Sequence, residues 1–315
     1  MRKLIGCVVG LFLIPAAVQA ESLTVATFNA EFLTRPTVHM KFGEKLKLSG
    51  TAKATWSAPG YRDQKFREGV EQVASVIKQI DADILILIEV GNHDDVSELN
   101  DALAAAGGSA YPHIAVCDCT DRYTAQHVAI LSRHPLSDVM PRIEGREGYL
   151  TEADDPDTEK DTGLSKGMRA TATVEGTKIH IYAVHLASER GGHEQDQQRI
   201  AQASIVRRHM LPLLQAGEHV IVAGDLNDRR GQPAIHRIRG LHDMWPDLVQ
   251  TGQVKFFKKA ELGSRWTYTF QGERNQIDHV LVSRDLAKRA KARVLDHGND
   301  GASDHRPLIV TLKVR

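Results

Sequence analysis

Two regions of the chain repeat one hydrophobic pattern, an amphipathic stretch followed at once by a short aliphatic run. In the first, residues 64–80 carry apolar side chains at three- and four-residue spacing, which predicts a helix, and residues 84–88 are all aliphatic. In the second, a strand-like stretch at 179–184 precedes a helix-like stretch at 194–214 and a strand-like run at 219–223. A continuous aliphatic run is typical of a strand buried on both faces. The alternation therefore predicts an α/β protein whose central sheets are covered by helices.

Shorter apolar stretches predict further strands, and no feature divides the chain into parts. The additional strands are expected at residues 23–28, 127–131, 170–174, 266–270, 277–282 and 307–312. Loop-forming residues predict surface excursions at 36–61 and 152–161, and either excursion can border a cleft. No internal sequence repeat and no long Pro/Gly/Ser linker occurs, so residues 21–315 are expected to form one domain.

Residues 1–20 have the pattern of a signal peptide. A positive start at Met1-Arg2-Lys3 is followed by the almost wholly apolar residues 4–15, and Val18-Gln19-Ala20 offers small residues where a signal peptidase reads. We therefore expect this segment to be removed and the mature chain to be exported to the periplasm or out of the cell. The apolar run 4–20 is shorter than the roughly 20 residues that cross a bilayer, so stable membrane insertion is not expected.

Composition and charge exclude several classes of protein. The chain has 315 residues, 42% of them hydrophobic, which excludes a disordered, collagen-like or coiled-coil protein. Its 40 lysine and arginine residues balance 40 acidic ones, and loss of Arg2 and Lys3 with the signal peptide leaves 38 against 40. A stoichiometric DNA-packaging protein is therefore not expected. Export would place Cys117 and Cys119 in an oxidising compartment, where a local disulfide is favoured over a free thiol pair.

Polar side chains collect where the predicted strands end. They are Asn29 and Glu31 after the first strand, Glu89, His185, Asp225 with Asn227, Asp278, and Asp304 with His305. Ligands of open α/β sheets gather at that edge, so we expect these side chains to line one mouth. Each residue alone has an ordinary structural explanation as a turn former, a helix cap or a core histidine. A carboxylate such as Glu89, directly after five aliphatic residues, is costly to bury unless a cation partners it, and a divalent ion fits that need.

The ordered set resembles the metal-dependent endonuclease/exonuclease/phosphatase superfamily, which includes pancreatic deoxyribonuclease, apurinic endonucleases, inositol-polyphosphate phosphatases and neutral sphingomyelinases. The motifs are Thr27-Phe28-Asn29, Leu87-Ile88-Glu89-Val90, His185-Leu186, Gly224-Asp225-Leu226-Asn227, Ile277-Asp278-His279 and Ser303-Asp304-His305-Arg306-Pro307. They occur in the order of the family and span nearly the whole mature chain. The resemblance implies a four-layer α/β sandwich in which two packed mixed β-sheets are flanked by helices.

The resemblance also implies a divalent metal site. Glu89 corresponds to the principal metal ligand, with Asn29 beside it and Asp304 as a further carboxylate on the metal side. Glu31 is a weaker candidate for supporting the same site. Hard oxygen ligands of this kind suit Mg²⁺ or Mn²⁺.

Five further residues correspond to the catalytic group of the family. Asp225 would orient or deprotonate the attacking water, and Asn227 would hold that water or donate to the phosphate. His305 would face a phosphate oxygen or the leaving group, and Asp278 would fix its tautomer. His185 stands where apurinic endonucleases have an asparagine and where deoxyribonuclease-, sphingomyelinase- and phosphatase-like members have a histidine, which argues against abasic-site repair.

These expectations favour an exported, Mg²⁺- or Mn²⁺-dependent phosphodiesterase that acts as a nuclease on DNA, with RNA as a second candidate, and has low sequence specificity. Arg169 is a candidate second phosphate contact, and Arg229, beside Arg230, is a candidate contact to a nucleic-acid backbone. A phosphatase or a sphingomyelinase-like lipid phosphodiesterase on the same fold is the nearest alternative, and an inactive binding protein is a remote one. A monomer is favoured.

Overall fold

The computed structural model describes residues 22–152, 155–240, 248–250, 266–270, 272–287 and 290–314, and the predicted signal peptide lies outside them. The strands are β1 (Ser22–Leu33), β2 (Ile84–Val90), β3 (His113–Val116), β4 (His127–Ser132), β5 (Leu136–Met140), β6 (Glu147–Leu150), β7 (Glu159–Thr162), β8 (Gly167–Val174), β9 (Thr177–His185), β10 (His219–Asp225), β11 (Leu248–Gln250), β12 (Tyr268–Phe270), β13 (Glu273–Asn275), β14 (Asp278–Ser283), β15 (Lys291–Val294) and β16 (Leu308–Lys313). The helices are α1 (Gly50–Trp56), α2 (Tyr61–Ile80), α3 (His93–Ala105), α4 (Gly192–Gln215), α5 (Pro233–Arg239) and α6 (Arg284–Ala287), with short 3₁₀ helices at Val38–Met40, Pro156–Thr158 and Glu189–Gly191.

Two six-stranded mixed sheets form the centre of the described structure. The first has the order β15-β16-β1-β2-β4-β3, and the second has the order β11-β14-β10-β9-β8-β5. In each sheet one central pair is parallel, β1 with β2 and β9 with β10, and a long helix, α2 or α4, lies between the two strands in the chain. Each copy of the repeated hydrophobic pattern thus corresponds to a parallel pair and its helix. The predicted α/β class and the four-layer sandwich are confirmed.

Strand β2 shows why its sequence is aliphatic at every position. Successive side chains of a strand point to opposite faces. The isoleucines of β2 face the apolar layer between the two sheets, whereas Leu85 and Leu87 face the helices α2 and α3. The second sheet is covered in the same way, since Val222 of β10 packs in a cluster with residues of α4 and α5. The order of layers is therefore helix, sheet, sheet, helix.

The excursion predicted at 36–61 is more ordered than a surface loop. It contains a 3₁₀ helix and α1, and the Trp56 ring is buried with edge contacts to His39 and Tyr61. Residues 43–60 are nevertheless mostly exposed, and Met40 lines the cavity described below, so the prediction of a surface excursion that borders a cleft is confirmed.

Two smaller predictions have clear outcomes in the described residues. Cys117 and Cys119 form the expected local disulfide. The acidic excursion at 152–161 includes a turn with no buried residue and then β7, which pairs with β6. Among the described residues, no helix is long and apolar enough to cross a membrane.

The topology brings several strand termini to one edge of the paired sheets. Strands β1 and β2 end at the same edge because they are parallel, and so do β9 and β10. Strand β16 runs antiparallel to β1, and β14 runs antiparallel to β10, so each begins where its neighbour ends. Asp225, the last residue of β10, is in register with both His185 of β9 and Asp278 of β14. The polar strand ends that the sequence indicates are therefore neighbours.

Candidate active site

Asn29 connects the two sheets at the centre of this edge. Its Nδ2 donates to Glu89 Oε1 at 3.3 Å and to Asp225 Oδ2 at 3.1 Å. His185 Nε2 lies 3.9 Å from each of the same two oxygens. Burial, followed by the nearby charge of Lys166, lowers the pKa of His185 well below its ordinary value, so its imidazole is neutral. Two carboxylates from different sheets thus share one amide and one neutral imidazole.

Irregular backbone directs Glu89 towards this group. Alternation along β2 would point residue 89 at the helices, but the pairing of β2 with β4 shifts between Ile88 and Val90, and Glu89 has a left-handed φ of 60°. Strand β1 has a matching irregularity, and there the Phe32 backbone N–H donates to Glu89 Oε2 at 3.0 Å. Bulges of this kind re-aim side chains, and left-handed φ values at non-glycine residues collect at functional sites.

Glycine is required at position 224 by the close approach of β9. Gly224 has a φ of 144°, and a Cβ there would lie 1.9 Å from Val184 O. A larger residue would separate β10 from β9 and displace Asp225, the next residue. The turn that follows is held from both ends, because Asp225 Oδ1 accepts from the Asn227 backbone N–H at 2.9 Å and Asn227 Nδ2 donates to Leu186 O at 3.1 Å.

His305 and Asp278 form a buried pair beside the shared carboxylates. His305 Nδ1 lies 2.8 Å from Asp278 Oδ2, which leaves Nε2 for the cavity described below. Burial disfavours the charged imidazole, but the carboxylates of Asp278, Asp225 and Asp304 together outweigh burial and raise the pKa of His305 to about 10. The Tyr268 ring stacks on the imidazole with a centroid separation of 4.6 Å. The imidazole is therefore protonated and fixed in orientation.

A cavity of about 360 Å³ opens over these side chains. Its acidic lining residues are Glu31, Glu89, Asp225, Asp304 and Glu189, and its other polar lining residues include His185, Asn227, His305, Lys166, Arg190 and Tyr268. Lys166, Arg190 and Tyr268 were not predicted from the sequence to be site residues. Lys166 precedes β8 and Arg190 follows β9, in connections where no periodicity marks a functional side chain. The available signal was their position next to these two strands.

The two arginines predicted to bind substrate are not among the lining residues. Arg169 lies two residues inside β8, opposite Tyr182 of β9, and its neighbour Met168 occupies the layer between the sheets. Because side chains alternate along a strand, Arg169 projects to the outer face, so its assignment as a phosphate contact is corrected. Arg229 is half exposed and pairs with Glu273 at 3.6 Å, outside the cavity lining.

The sequence model of the Endonuclease/Exonuclease/phosphatase family matches residues 26–305. The chain belongs to this family. Its members are hydrolases that act on phosphodiester bonds, and the family depends on divalent metal ions. No match is found among curated protein sequences.

Solved structures of family members share the fold at low sequence identity. Truncated TDP2 from Caenorhabditis elegans is 16% identical with a TM-score of 0.57, over 93% of this chain and 98% of that chain. ANGEL2, described as a 2′,3′-cyclic phosphatase, is 14% identical with a TM-score of 0.57, over 94% and 96% of the two chains. Beta toxin from Staphylococcus aureus is 15% identical with a TM-score of 0.52, over 91% and 99%.

Two acids that line the cavity, Asp225 and Glu31, have raised pKa values. Burial and then the Asp278 charge raise the pKa of Asp225 to about 7, although His305 opposes the shift. Burial and then the Asp304 charge raise the pKa of Glu31 to about 7, although Lys41 opposes it. Burial is the larger cause of both raised pKa values and a neighbouring carboxylate is the second, and a bound divalent cation would offset both by favouring the charged forms.

The donor set fits such a cation. Glu89 and Asp304 offer carboxylate oxygens to the cavity, as Mg²⁺ and Mn²⁺ prefer. Asn29 turns its amide nitrogen to Glu89 and its Oδ1 accepts from the Glu31 backbone N–H at 3.0 Å, so in this conformation it orients the carboxylate. Asp225, Asp278 and His305 also bring ligand atoms within 4.8 Å of one another, but the hydrogen bond within that set already engages His305 Nδ1.

Proposed function

We propose that the protein is a Mg²⁺- or Mn²⁺-dependent phosphodiesterase that hydrolyses DNA, with RNA as a second substrate, without strong sequence preference. The observation that carries this proposal is that Glu89 and Asp225, one from each sheet, accept from the same Asn29 amide beside the fixed His305 imidazole. One carboxylate that can hold a cation and a second that can orient water, next to a cationic donor, form the arrangement that phosphoryl transfer needs.

Glu89 and Asp304 would hold the ion, with Asn29 orienting Glu89, and the ion would neutralise charge on the phosphate and favour ionisation of the attacking water. Asp225 accepts the proton of that water, which Asn227 helps to position across the turn after β10. His305 donates from Nε2 to a phosphate oxygen as negative charge develops there, and Asp278 keeps Nδ1 engaged so that Nε2 remains free for this contact.

Cationic side chains around the cavity support a polymeric phosphate substrate. Lys166 and Arg190 line the cavity, and Arg229 lies two residues after Asn227 with half of its side chain exposed. Such residues bind backbone phosphates without reading base sequence. The likeness to ANGEL2, a 2′,3′-cyclic phosphatase, favours a phosphatase as the second candidate function.

We also propose that the chain is exported, because its first twenty residues combine a basic start, an apolar run and small residues at the cleavage position. Sequencing the N-terminus of the protein recovered from a producing cell tests this. A start at Glu21 in the periplasmic or extracellular fraction supports export, and an intact Met1 in the cytoplasm contradicts it.

A substrate panel tests the proposed activity. Plasmid DNA, RNA, an inositol phosphate and sphingomyelin are each incubated with the protein and Mg²⁺, Mn²⁺ or a chelator. We expect nicking and degradation of plasmid DNA that requires the ion. Efficient hydrolysis of the inositol phosphate or of sphingomyelin, with DNA and RNA left intact, would overturn the substrate assignment.

A further inference from the structure

Lys41 is a buried lysine directly behind the wall of the cavity. It follows the 3₁₀ helix Val38–Met40, in the excursion between β1 and β2, and its side chain is only 1% exposed. Neither a helix face nor a strand alternation accounts for a buried ammonium at this position. Burying a charge is costly unless acceptors surround it, so the contacts of the amine indicate what it does.

Backbone carbonyls from two separate segments accept from this ammonium. Lys41 Nζ donates to Ala30 O at 3.1 Å, to Glu31 O at 3.4 Å and to Ala302 O at 2.5 Å. Its one near carboxylate oxygen, Glu31 Oε2, is farther away at 3.8 Å. The amine therefore serves mainly as a bridge between two stretches of backbone.

Both stretches carry residues of the predicted metal site. Ala30 directly follows Asn29, the amide that orients Glu89. Ala302 lies two residues before Asp304, the other carboxylate that would hold the ion. A second bond runs in parallel, because Ser303 Oγ donates to Asn29 O at 2.7 Å. The end of β1 and the segment before β16 are thus joined twice, once through a hydroxyl and once through the ammonium.

Helix α2 has a glycine where the stem of Lys41 passes. A Cβ at Gly69 would lie 3.4 Å from Lys41 Cδ, 3.5 Å from Lys41 Cε and 3.1 Å from Leu33 Cδ1. The stem of Lys41 therefore passes this face of the helix at ordinary van der Waals distance, and Leu33 is the side chain that a methyl group at position 69 would crowd.

We propose that Lys41 is a positioning residue for the divalent-ion site, whose ammonium fixes the segment after Asn29 relative to the segment before Asp304. This inference rests on the proposed metal-dependent function. A residue that acts only through its charge would have the opposite effect, because a cation behind acidic ligands repels a metal ion. The sign of the change in metal affinity therefore distinguishes the two roles.

The test measures Mn²⁺ binding by electron paramagnetic resonance of the free ion, in wild type and in Lys41→Met, which keeps the apolar stem and removes the donor. Loss of a group that orients metal ligands typically weakens metal affinity about 10- to 100-fold. We expect at least a tenfold weaker affinity in Lys41→Met. The control is Lys78→Met, since Lys78 Nζ donates to Ala106 O at 2.7 Å on the surface, away from the cavity, and its loss should leave affinity unchanged.

Unchanged or tighter Mn²⁺ binding in folded Lys41→Met overturns the inference while leaving the metal site intact. Failure of wild type to bind Mn²⁺ overturns the proposed function itself, so the two failures are distinguishable. If Lys41→Met does not fold, Lys41→Gln replaces it, because its amide keeps a polar group among the carbonyls but is uncharged and one atom shorter than the lysine side chain. Weaker Mn²⁺ binding in that variant supports the inference, and wild-type affinity overturns it.

Discussion

Asp278 Oδ2 and His305 Nδ1 form a 2.8 Å hydrogen bond although the two residues are 27 positions apart in the chain. The two residues meet because β14 and β16, although they belong to different sheets, both begin at the edge where β10 and β1 end. Asp278→Asn keeps the shape of the side chain and removes the charge that holds the imidazole protonated and oriented. We expect kcat to fall at least about a hundredfold, with a smaller change in KM, in steady-state assays on the preferred substrate.

The matched control for this variant is Asp296→Asn. Asp296 also pairs with a cationic side chain, Arg306, at 2.8 Å, but it lies outside the cavity lining and is largely exposed. Its loss should leave kcat near the wild-type value. Equal kcat in Asp278→Asn and wild type would show that the buried pair has no part in turnover.

Removal of either proposed reacting group has its own expected outcome. His305→Ala loses the donor to the phosphate, and Asp225→Ala loses the group that accepts a proton from water. General acid–base and charge-stabilising groups contribute about a hundredfold or more, so each variant should lose at least that factor in kcat. Substrate affinity, measured by equilibrium binding, should change less. Near wild-type kcat in both variants, with Glu89→Gln inactive, would refute the assigned roles.

Folding stability should depend on pH through His279, which is fully buried and whose Nε2 lies 2.8 Å from Asp228 O. Burial lowers the pKa of His279 from 6.5 to about 4, so the unfolded chain takes up a proton before the folded chain does. The contribution of His279 to the free energy of unfolding is fully present above pH 6.5 and is lost as the pH falls towards 4. Between pH 7 and pH 5 the loss is about 2 kcal/mol.

Urea denaturation of wild type and His279→Gln at both pH values checks this contribution. Glutamine can still donate to Asp228 O and does not titrate, so the variant should lose about 2 kcal/mol less than wild type over the same range. The difference between the two proteins removes the contributions of the other titrating groups to the pH dependence. Asp278 and Arg230, whose charges act on the pKa of His279, are present in both proteins. An identical pH dependence in the two proteins would contradict the prediction.

The salt dependence of DNA binding should distinguish Arg190, which follows β9, from Arg169, which lies near the start of β8. Arg190 lines the cavity and its Nη2 contacts the Tyr268 hydroxyl, whereas Arg169 projects from the outer face of its sheet. A phosphate-contacting cation contributes about one unit to the slope of log affinity against log salt. We expect Arg190→Ala to flatten that slope for DNA binding and Arg169→Ala to leave it unchanged. A flattened slope in Arg169→Ala alone would reverse this assignment.

The sequence predicts the parts of this structure that depend on periodic burial. Aliphatic runs such as 84–88 must be covered on both faces, and the polar residue after such a run lies at the sheet edge, which is why Glu89 and Asp225 could be named in advance. Glu89 also depends on a bulge and a left-handed φ, which alternation does not predict.

Residues that act from irregular segments could not be found in the same way. Lys41 and Arg190 follow no period, and their roles depend on which distant backbone or side chain folding brings near them. Arg169 was misplaced because β8 begins at Gly167, before the predicted start at residue 170, so Arg169 lies within the strand and not in the connection ahead of it. The buried Trp56 likewise became visible only with its ring contacts to His39 and Tyr61.

The central claim is metal-dependent phosphodiester hydrolysis at the edge shared by the two sheets. The most direct test is release of p-nitrophenolate from bis(p-nitrophenyl) phosphate, a phosphodiester that needs no recognition of a base or a lipid. Wild type should release product with Mg²⁺ or Mn²⁺, and both excess chelator and Glu89→Gln should abolish release while circular dichroism shows an intact fold. Release that is undiminished in excess chelator, or equal in Glu89→Gln and wild type, would contradict the account.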